Sequence, residues 1–136
     1  MKKLLYLFIT ATILISCDSD NDSDLEPIIG KWQLTSETEN GKEISDECQR
    51  KSTITFFENG TTSEIYYYNY GNDVCESDTT SSKWENVGDS NYRITNDGNS
   101  ETNEILFSNN NNVFSFTFSE EHNGITYTYK GIYKRI

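Results

Sequence analysis

Residues 52–70 read STITFFENGTTSEIYYYNY, which is two β-branched and aromatic runs on either side of Glu58-Asn59-Gly60. Runs of this composition are typical of β-strands, because branched and aromatic side chains pack well on a pleated surface. The Asn-Gly pair between them is the strongest short signal for a hairpin, since both residues tolerate a positive φ. This stretch therefore predicts two strands that pair directly with each other.

Outward from this hairpin, six further segments have strand-like composition, and none shows a 3.6-residue apolar period. The first alternates from Gly30, so that Gly30, Trp32 and Leu34 share one face. Between the segments lie short turn-forming stretches of Gly, Asn and Asp, and one longer loop covers residues 37–49. The six segments are residues 28–36, 82–87, 91–95, 102–108, 113–119 and 124–135.

Eight strands joined by hairpin-length links predict an all-β fold, most economically an eight-stranded antiparallel up-and-down barrel. Closure into a barrel removes the exposed edges along which strands aggregate. A two-sheet β-sandwich stays as the alternative, because its strands are equally short and alternating.

Length and charge limit the possible functions. The chain has 136 residues, enough for one domain with a real core, and we expect a monomer. It contains 22 acidic against 11 basic residues, for a formal net charge of −11. Because such a surface repels phosphates, nucleic acid is excluded as a partner.

The N-terminus has the pattern of an export signal. Met1-Lys2-Lys3 is a positive start, and the uncharged apolar run of residues 4–15 is shorter than the ~20 residues that a membrane span needs. Its end, Leu14-Ile15-Ser16-Cys17, resembles the lipobox of bacterial lipoproteins. The resemblance implies that residues 1–16 are a lipoprotein signal peptide and that Cys17 carries the lipid anchoring the protein to a membrane. Ordinary secretory cleavage, leaving a spare Cys, is the alternative.

The residues after Cys17 read DSDNDSDLE, and residues 17–26 are expected to form a flexible acidic tether. The spacing resembles the start of a calcium loop, but the Gly at the sixth place and the Glu at the twelfth are missing, so no metal site is predicted. An acidic run after the lipid-bearing Cys favours the outer membrane or cell surface of a Gram-negative bacterium. Asp18 directly after Cys17 leaves the inner membrane as the alternative.

A family resemblance rests on Gly30-Lys31-Trp32 at the head of the meander and on the basic, aromatic last strand. This pattern resembles the Gly-x-Trp signature of the lipocalins, and more closely the small lipocalin-like domains of bacterial surface lipoproteins, over residues 27–136. The resemblance implies that Trp32 packs at the closed end of the barrel beside Lys134 or Arg135, in a cation–π contact. The short strands and the lack of a helix beside the last strand depart from full lipocalins.

Two cysteines remain if Cys17 carries lipid. Cys48 and Cys75 flank the hairpin of the second and third strands in an exported protein, so a disulfide between them is expected. Zinc is the alternative for these thiols, but with His122 as the only histidine the ligands are too few.

No catalytic constellation stands out, and no cofactor is expected. His122 lies in a turn signal, and the paired acids lie in turns or in the tether, without an apolar setting that would raise a pKa. We therefore expect a protein that is not an enzyme.

The aromatic residues carry the functional prediction. Alternation assigns to the core Trp32, Ile54, Phe56, Ile94, Ile105, Phe107, Phe114, Phe116 and Phe118. A continuous Tyr66-Tyr67-Tyr68 run must turn some rings outward. Two functions follow: a small hydrophobic ligand held between Phe and Tyr rings, or a filled barrel that docks a protein or glycan at the cell surface. The candidate contacts for either are Tyr66, Tyr68, Phe114, Phe116, Tyr127 and Tyr129.

Overall fold

The structure is a computed structural model and describes residues 25–71 and 74–136. The predicted signal peptide, the lipidation site Cys17 and most of the predicted tether lie outside these residues. The described chain forms nine strands and one short 3₁₀ turn, Gln49–Lys51. The strands are β1 Gly30–Glu39, β2 Lys42–Glu43, β3 Thr53–Phe56, β4 Thr61–Asn69, β5 Cys75–Gly88, β6 Asn91–Asn96, β7 Asn99–Ser108, β8 Val113–His122 and β9 Ile125–Arg135.

Eight of these strands form a ring. Each strand from β3 to β8 pairs antiparallel with the next along the chain, and β1 pairs with both β3 and β9. The two-residue β2 is attached to the end of β1 alone. The predicted up-and-down barrel is therefore confirmed, and the sandwich alternative is wrong, because one continuous sheet returns on itself.

The hairpin turns follow from local sequence. Asn40-Gly41, Asp97-Gly98 and Asn123-Gly124 each form a two-residue connection in which both residues have positive φ, the conformation that such pairs favour. The β3–β4 hairpin differs from the expectation, because only Gly60 of its Asn59-Gly60 pair has a positive φ. The Asn59 side chain instead accepts hydrogen bonds from the backbone and hydroxyl of Thr61.

The two ends of the barrel differ. At one end, called here the closed end, lie the start of β1 and the end of β9, and residues 25–29 cross beneath it. Glu26, which the sequence placed last in the tether, accepts hydrogen bonds there from Asn86 Nδ2 and Tyr92 Oη at 2.9 and 3.2 Å. At the other end, the open end, β7 and β8 separate. Among the described residues these two strands pair only over Ile105–Ser108 and 113–116.

Several strands extend beyond their predicted bounds: β1 ends at Glu39, β7 begins at Asn99 and β8 ends at His122. Strand β5 begins at Cys75, because its polar first half pairs with the tyrosine-rich half of β4. The predicted loop 37–49 holds the end of β1 and all of β2. None of the helical residues in the described part of the chain forms a segment long and apolar enough to cross a membrane.

The disulfide predicted between Cys48 and Cys75 is confirmed. It joins the loop before β3 to the first residue of β5, a sequence separation of 27 residues, and so ties both sides of the β3–β4 hairpin together at the open end.

Candidate functional site

A cavity of about 720 Å³ occupies the interior of the barrel and reaches the open end. Its wall comes from inward-facing residues of every strand from β3 to β9, together with Ile28 below β1. A volume of this size lies within the range of small-molecule sites. The half of the barrel nearer the open end is therefore hollow. The sequence had left open whether the barrel is hollow or filled.

The floor of the cavity is apolar and well packed. Buried side chains of Ile28, Phe56, Tyr92, Ile105 and Phe114 form it. The rings of Phe56 and Phe114 meet edge to face at 6.4 Å between centroids, a geometry that aromatic pairs prefer. An apolar body entering the cavity would therefore meet a rigid hydrocarbon surface.

Trp32 lies beneath this floor and is fully buried. Its Nε1 donates a hydrogen bond to the Ile28 carbonyl at 2.7 Å, and its ring meets Phe114 edge to face at 4.8 Å. The Arg135 guanidinium carbon lies 4.1 Å from the centre of the Trp32 ring, which is the cation–π contact that the resemblance implies.

Arg135 also fastens the chain that crosses the closed end. It donates hydrogen bonds to the carbonyls of Ile29 and Pro27 at 2.7 and 2.6 Å. A Cβ on Gly30 would lie only 2.5 Å from Arg135 Nη1, and Gly30 has a φ of +128°. The glycine of Gly-x-Trp is thus required both for its backbone conformation and for the space that the guanidinium occupies.

Toward the open end the cavity wall becomes polar. The carboxylates of Glu64, Glu101 and Glu120 are joined by hydroxyl and amide groups of Thr80, Ser82, Asn96, Asn99, Ser100 and Asn103. The aromatic rings of Phe116, Phe118 and Tyr133 continue up the β8–β9 side. The β8–β9 side of the cavity is therefore mostly aromatic, with Glu120 at its upper end, and the β4–β7 side is mostly polar there.

Burial perturbs two titratable groups in this wall. Desolvation raises the pKa of Glu64 above its ordinary value. The pKa of Tyr133 is also raised, first by burial and then by the carboxylates of Glu64 and Glu37, which would repel an ionised phenol. Glu64 and Tyr133 thus interact electrostatically across the cavity, and an added negative charge would be unfavourable there.

The tyrosines of β4 occupy unexpected positions. Tyr66 and Tyr68 lie on the same face of β4 as Glu64, so they continue the inner wall past the cavity toward the open end, with ring centroids 6.1 Å apart. A hydrogen bond from the Tyr68 hydroxyl to Asp78, 3.1 Å long, raises the pKa of Tyr68. The ring on the opposite face of the strand is Tyr67, which is half-buried.

The other predicted contacts fall in the same region. Phe114 and Phe116 line the cavity. Tyr129 stacks on the cavity residue Phe118 at 5.0 Å, and Tyr127 follows on the same face of β9. The structure therefore brings all six predicted contact residues to the inner face of the barrel, two in the cavity and four above it.

The loop at the rim is held by Glu43. Its carboxylate accepts hydrogen bonds from the hydroxyls of Ser36 and Ser45, and these bonds lower its pKa to about 2. The neighbouring Glu37 has a raised pKa, because it is partly buried and because Glu43 is negative. The acidic character of the cavity thus continues onto the rim.

Sequence reasoning missed the polar residues of the cavity wall and four of its larger or charged side chains, Ile28, Glu64, Tyr92 and Tyr133. Ile28 lies before β1, although the predicted first segment included it, and Tyr92 shares the inward face of β6 with the predicted core residue Ile94. Tyr133 occupies an inward position of β9, whose faces were not assigned. Glu64 is an acid at an inward position, which the usual rule for core residues does not consider. Alternation could have revealed it. Thr62 is the cross-strand partner of the core residue Phe56, and Glu64, two residues further along β4, lies on the same inward face.

The structure brings no metal-binding constellation together in residues 25–71 and 74–136, where no group of three His, Cys, Asp or Glu side chains is arranged to hold an ion. His122 is exposed and lies 3.4 Å from Glu120.

Comparison with known proteins gives three findings. Residues 28–116 match the family model described as a lipocalin-like domain. No curated protein sequence matches the chain. Among solved structures, the chain is similar to the possum milk whey lipocalin trichosurin with bound 4-ethylphenol, at 16% identity and a TM-score of 0.48, over 77% of this chain and 73% of that one.

Proposed function

The chain belongs to the family of lipocalin-like domains, and on that basis we propose that it binds a small hydrophobic ligand inside the barrel. The observation that carries the proposal is the cavity of about 720 Å³ above an apolar floor. Members of this family are generally binding proteins rather than enzymes, so we propose binding without catalysis.

The cavity favours this function over the filled scaffold. A scaffold that docks a partner needs its contact residues on the outer surface, whereas Tyr66 and Tyr68 share the face of β4 that carries the cavity residue Glu64, with Tyr66 40% exposed toward the open end. Their rings stand where a ligand entering from the open end would pass.

Binding can be tested with an uncharged fluorescent probe, N-phenyl-1-naphthylamine, and two variants of one strand. Thr80 lines the cavity and is the cross-strand neighbour of Glu64, while Thr79 lies on the other face of β5. We expect Thr80→Trp to occlude the cavity and weaken probe binding at least tenfold, and Thr79→Trp to leave it unchanged. Equal effects of the two variants, or no binding by the unaltered protein, would contradict the proposal.

We also propose that the protein is a lipoprotein anchored through Cys17 at the outer membrane or surface of a Gram-negative bacterium, and that it is monomeric. Support comes from the sequence pattern of residues 1–26. Mass spectrometry of the purified protein should find acyl chains that Cys17→Ser lacks. Protease treatment of intact cells should remove the protein, and protection from the protease would contradict the placement.

A further inference from the structure

The cavity carries negative charge without any positive counterpart. Glu64, Glu101 and Glu120 all contribute to its wall. Neither Lys nor Arg occurs among the described residues that line it. The rim adds Glu37, on the inner face opposite Gly131, and the whole chain has a formal charge of −11. The potential inside the cavity is therefore negative.

Of the three carboxylates, Glu64 is the one that is partly buried and has no counter-charge. It lies in mid-barrel between Ile54 of β3 and Thr80 of β5, and it is partly buried. The backbone of Glu64 pairs with both neighbouring strands, but across the described ranges no hydrogen bond or ion pair reaches its carboxylate. Glu120, by contrast, is exposed and has His122 within 3.4 Å. A partly desolvated carboxylate without a counter-charge is costly, and a cationic ligand would remove that cost.

The opposite wall offers a second kind of cation contact. The rings of Phe116 and Phe118 stack at 6.2 Å, and Phe118 stacks on Tyr129 at 5.0 Å. Ring faces attract cations, and the attraction grows as water is excluded. A positive group between this wall and Glu64 would meet a carboxylate on one side and aromatic rings on the other.

We propose that the ligand is a cationic amphiphile, an amine whose apolar body rests on the floor and whose ammonium group faces Glu64. This inference rests on the proposed function and narrows its ligand class. It excludes fatty acids and other hydrophobic anions as preferred ligands, because their head groups would meet three carboxylates and no base.

The test compares three probes with the same apolar chain, decylammonium, 1-decanol and decanoate, by calorimetric titration of the purified protein. Attraction to Glu64 should make decylammonium bind at least tenfold more tightly than 1-decanol, and decanoate should bind most weakly. Glu64→Gln should remove most of the advantage of decylammonium while leaving 1-decanol unchanged. The matched control is Glu58→Gln, which removes the same charge from the exposed β3–β4 turn.

The outcomes separate the two proposals. Binding of all three probes with equal affinity, or tightest binding of decanoate, would overturn the cationic class and leave the binding function intact. A loss of decylammonium affinity that is the same in Glu58→Gln would also overturn it, since the effect would then reflect net charge alone. If no probe binds, the binding function itself fails. The three-probe comparison on the unaltered protein decides the ligand class even if Glu64→Gln does not fold.

Discussion

Replacement of Arg135 by Met should destabilise the barrel far more than loss of a surface arginine. Met keeps an apolar side chain over Trp32 but removes the guanidinium. Two hydrogen bonds of 2.6–2.7 Å to the carbonyls of Pro27 and Ile29 are lost, along with two longer, exposed ones of 3.3 Å to the Asn111 carbonyl and the cation–π contact at 4.1 Å. With the two shorter, charge-assisted hydrogen bonds near ~1.5 kcal/mol each and a buried cation–π contact near ~1 kcal/mol, the expected loss is about 4 kcal/mol.

Urea unfolding followed by tryptophan fluorescence measures this loss. With a denaturant slope of about 2 kcal/mol per molar, the midpoint should fall by about 2 M. The control is Arg93→Met, which breaks an exposed ion pair with Glu85 at 2.9 Å and should cost about 0–1 kcal/mol. If the two variants lower the midpoint equally, Arg135 does not hold the closed end and the reasoning is wrong.

Three further predictions concern the cavity and the open end. In Gly131→Ala the new Cβ would lie 2.7 Å from Phe116 Cε1, so the ring should move into the cavity, weaken probe binding and cost about 1–3 kcal/mol in urea unfolding. Because burial raises the pKa of Glu64, its charge destabilises the ligand-free fold at pH 7. Glu64→Gln should therefore raise the melting temperature at pH 7. This gain should vanish as the pH falls below 4.5, the ordinary pKa of a glutamate side chain. Reduction of the Cys48–Cys75 disulfide should lower the unfolding free energy by about 3 kcal/mol, and an unchanged urea midpoint after reduction would contradict this.

The closed half of the barrel could be predicted from sequence because its interior is filled. Trp32, Phe56, Ile105 and Phe114 occupy inward positions of strands with a two-residue period, and all four are buried as expected. The turns at Asp97-Gly98 and Asn123-Gly124 were predictable for a different reason, because such pairs favour positive φ at both residues, whereas at Asn59-Gly60 only the glycine adopts it.

The open half could not be predicted in the same way. There the inner face lines a cavity and carries Glu64, Tyr66 and Tyr68 rather than aliphatic residues, so alternation of apolar and polar residues disappears. The first half of β5 has no apolar pattern for the same reason, and its residues 75–81 form a strand because β4 pairs with them. Alternation is thus lost on the β4–β5 side of the hollow part, while Phe114, Phe116 and Phe118 of β8 keep it and were assigned inward from sequence.

The residues that stabilise the fold and the residues that would bind a ligand thus lie at different levels along the barrel axis. Trp32, Gly30 and Arg135 lie below the floor, where their hydrogen bonds and ring contacts close the barrel and leave no group facing the cavity. Glu64 lies above the floor, where it weakens the empty fold through its unpaired charge and gains a partner only from a ligand. Substitutions at the closed end should therefore change unfolding without changing ligand preference. Replacement of Glu64 should do the reverse, raising stability while removing the preference for a cation.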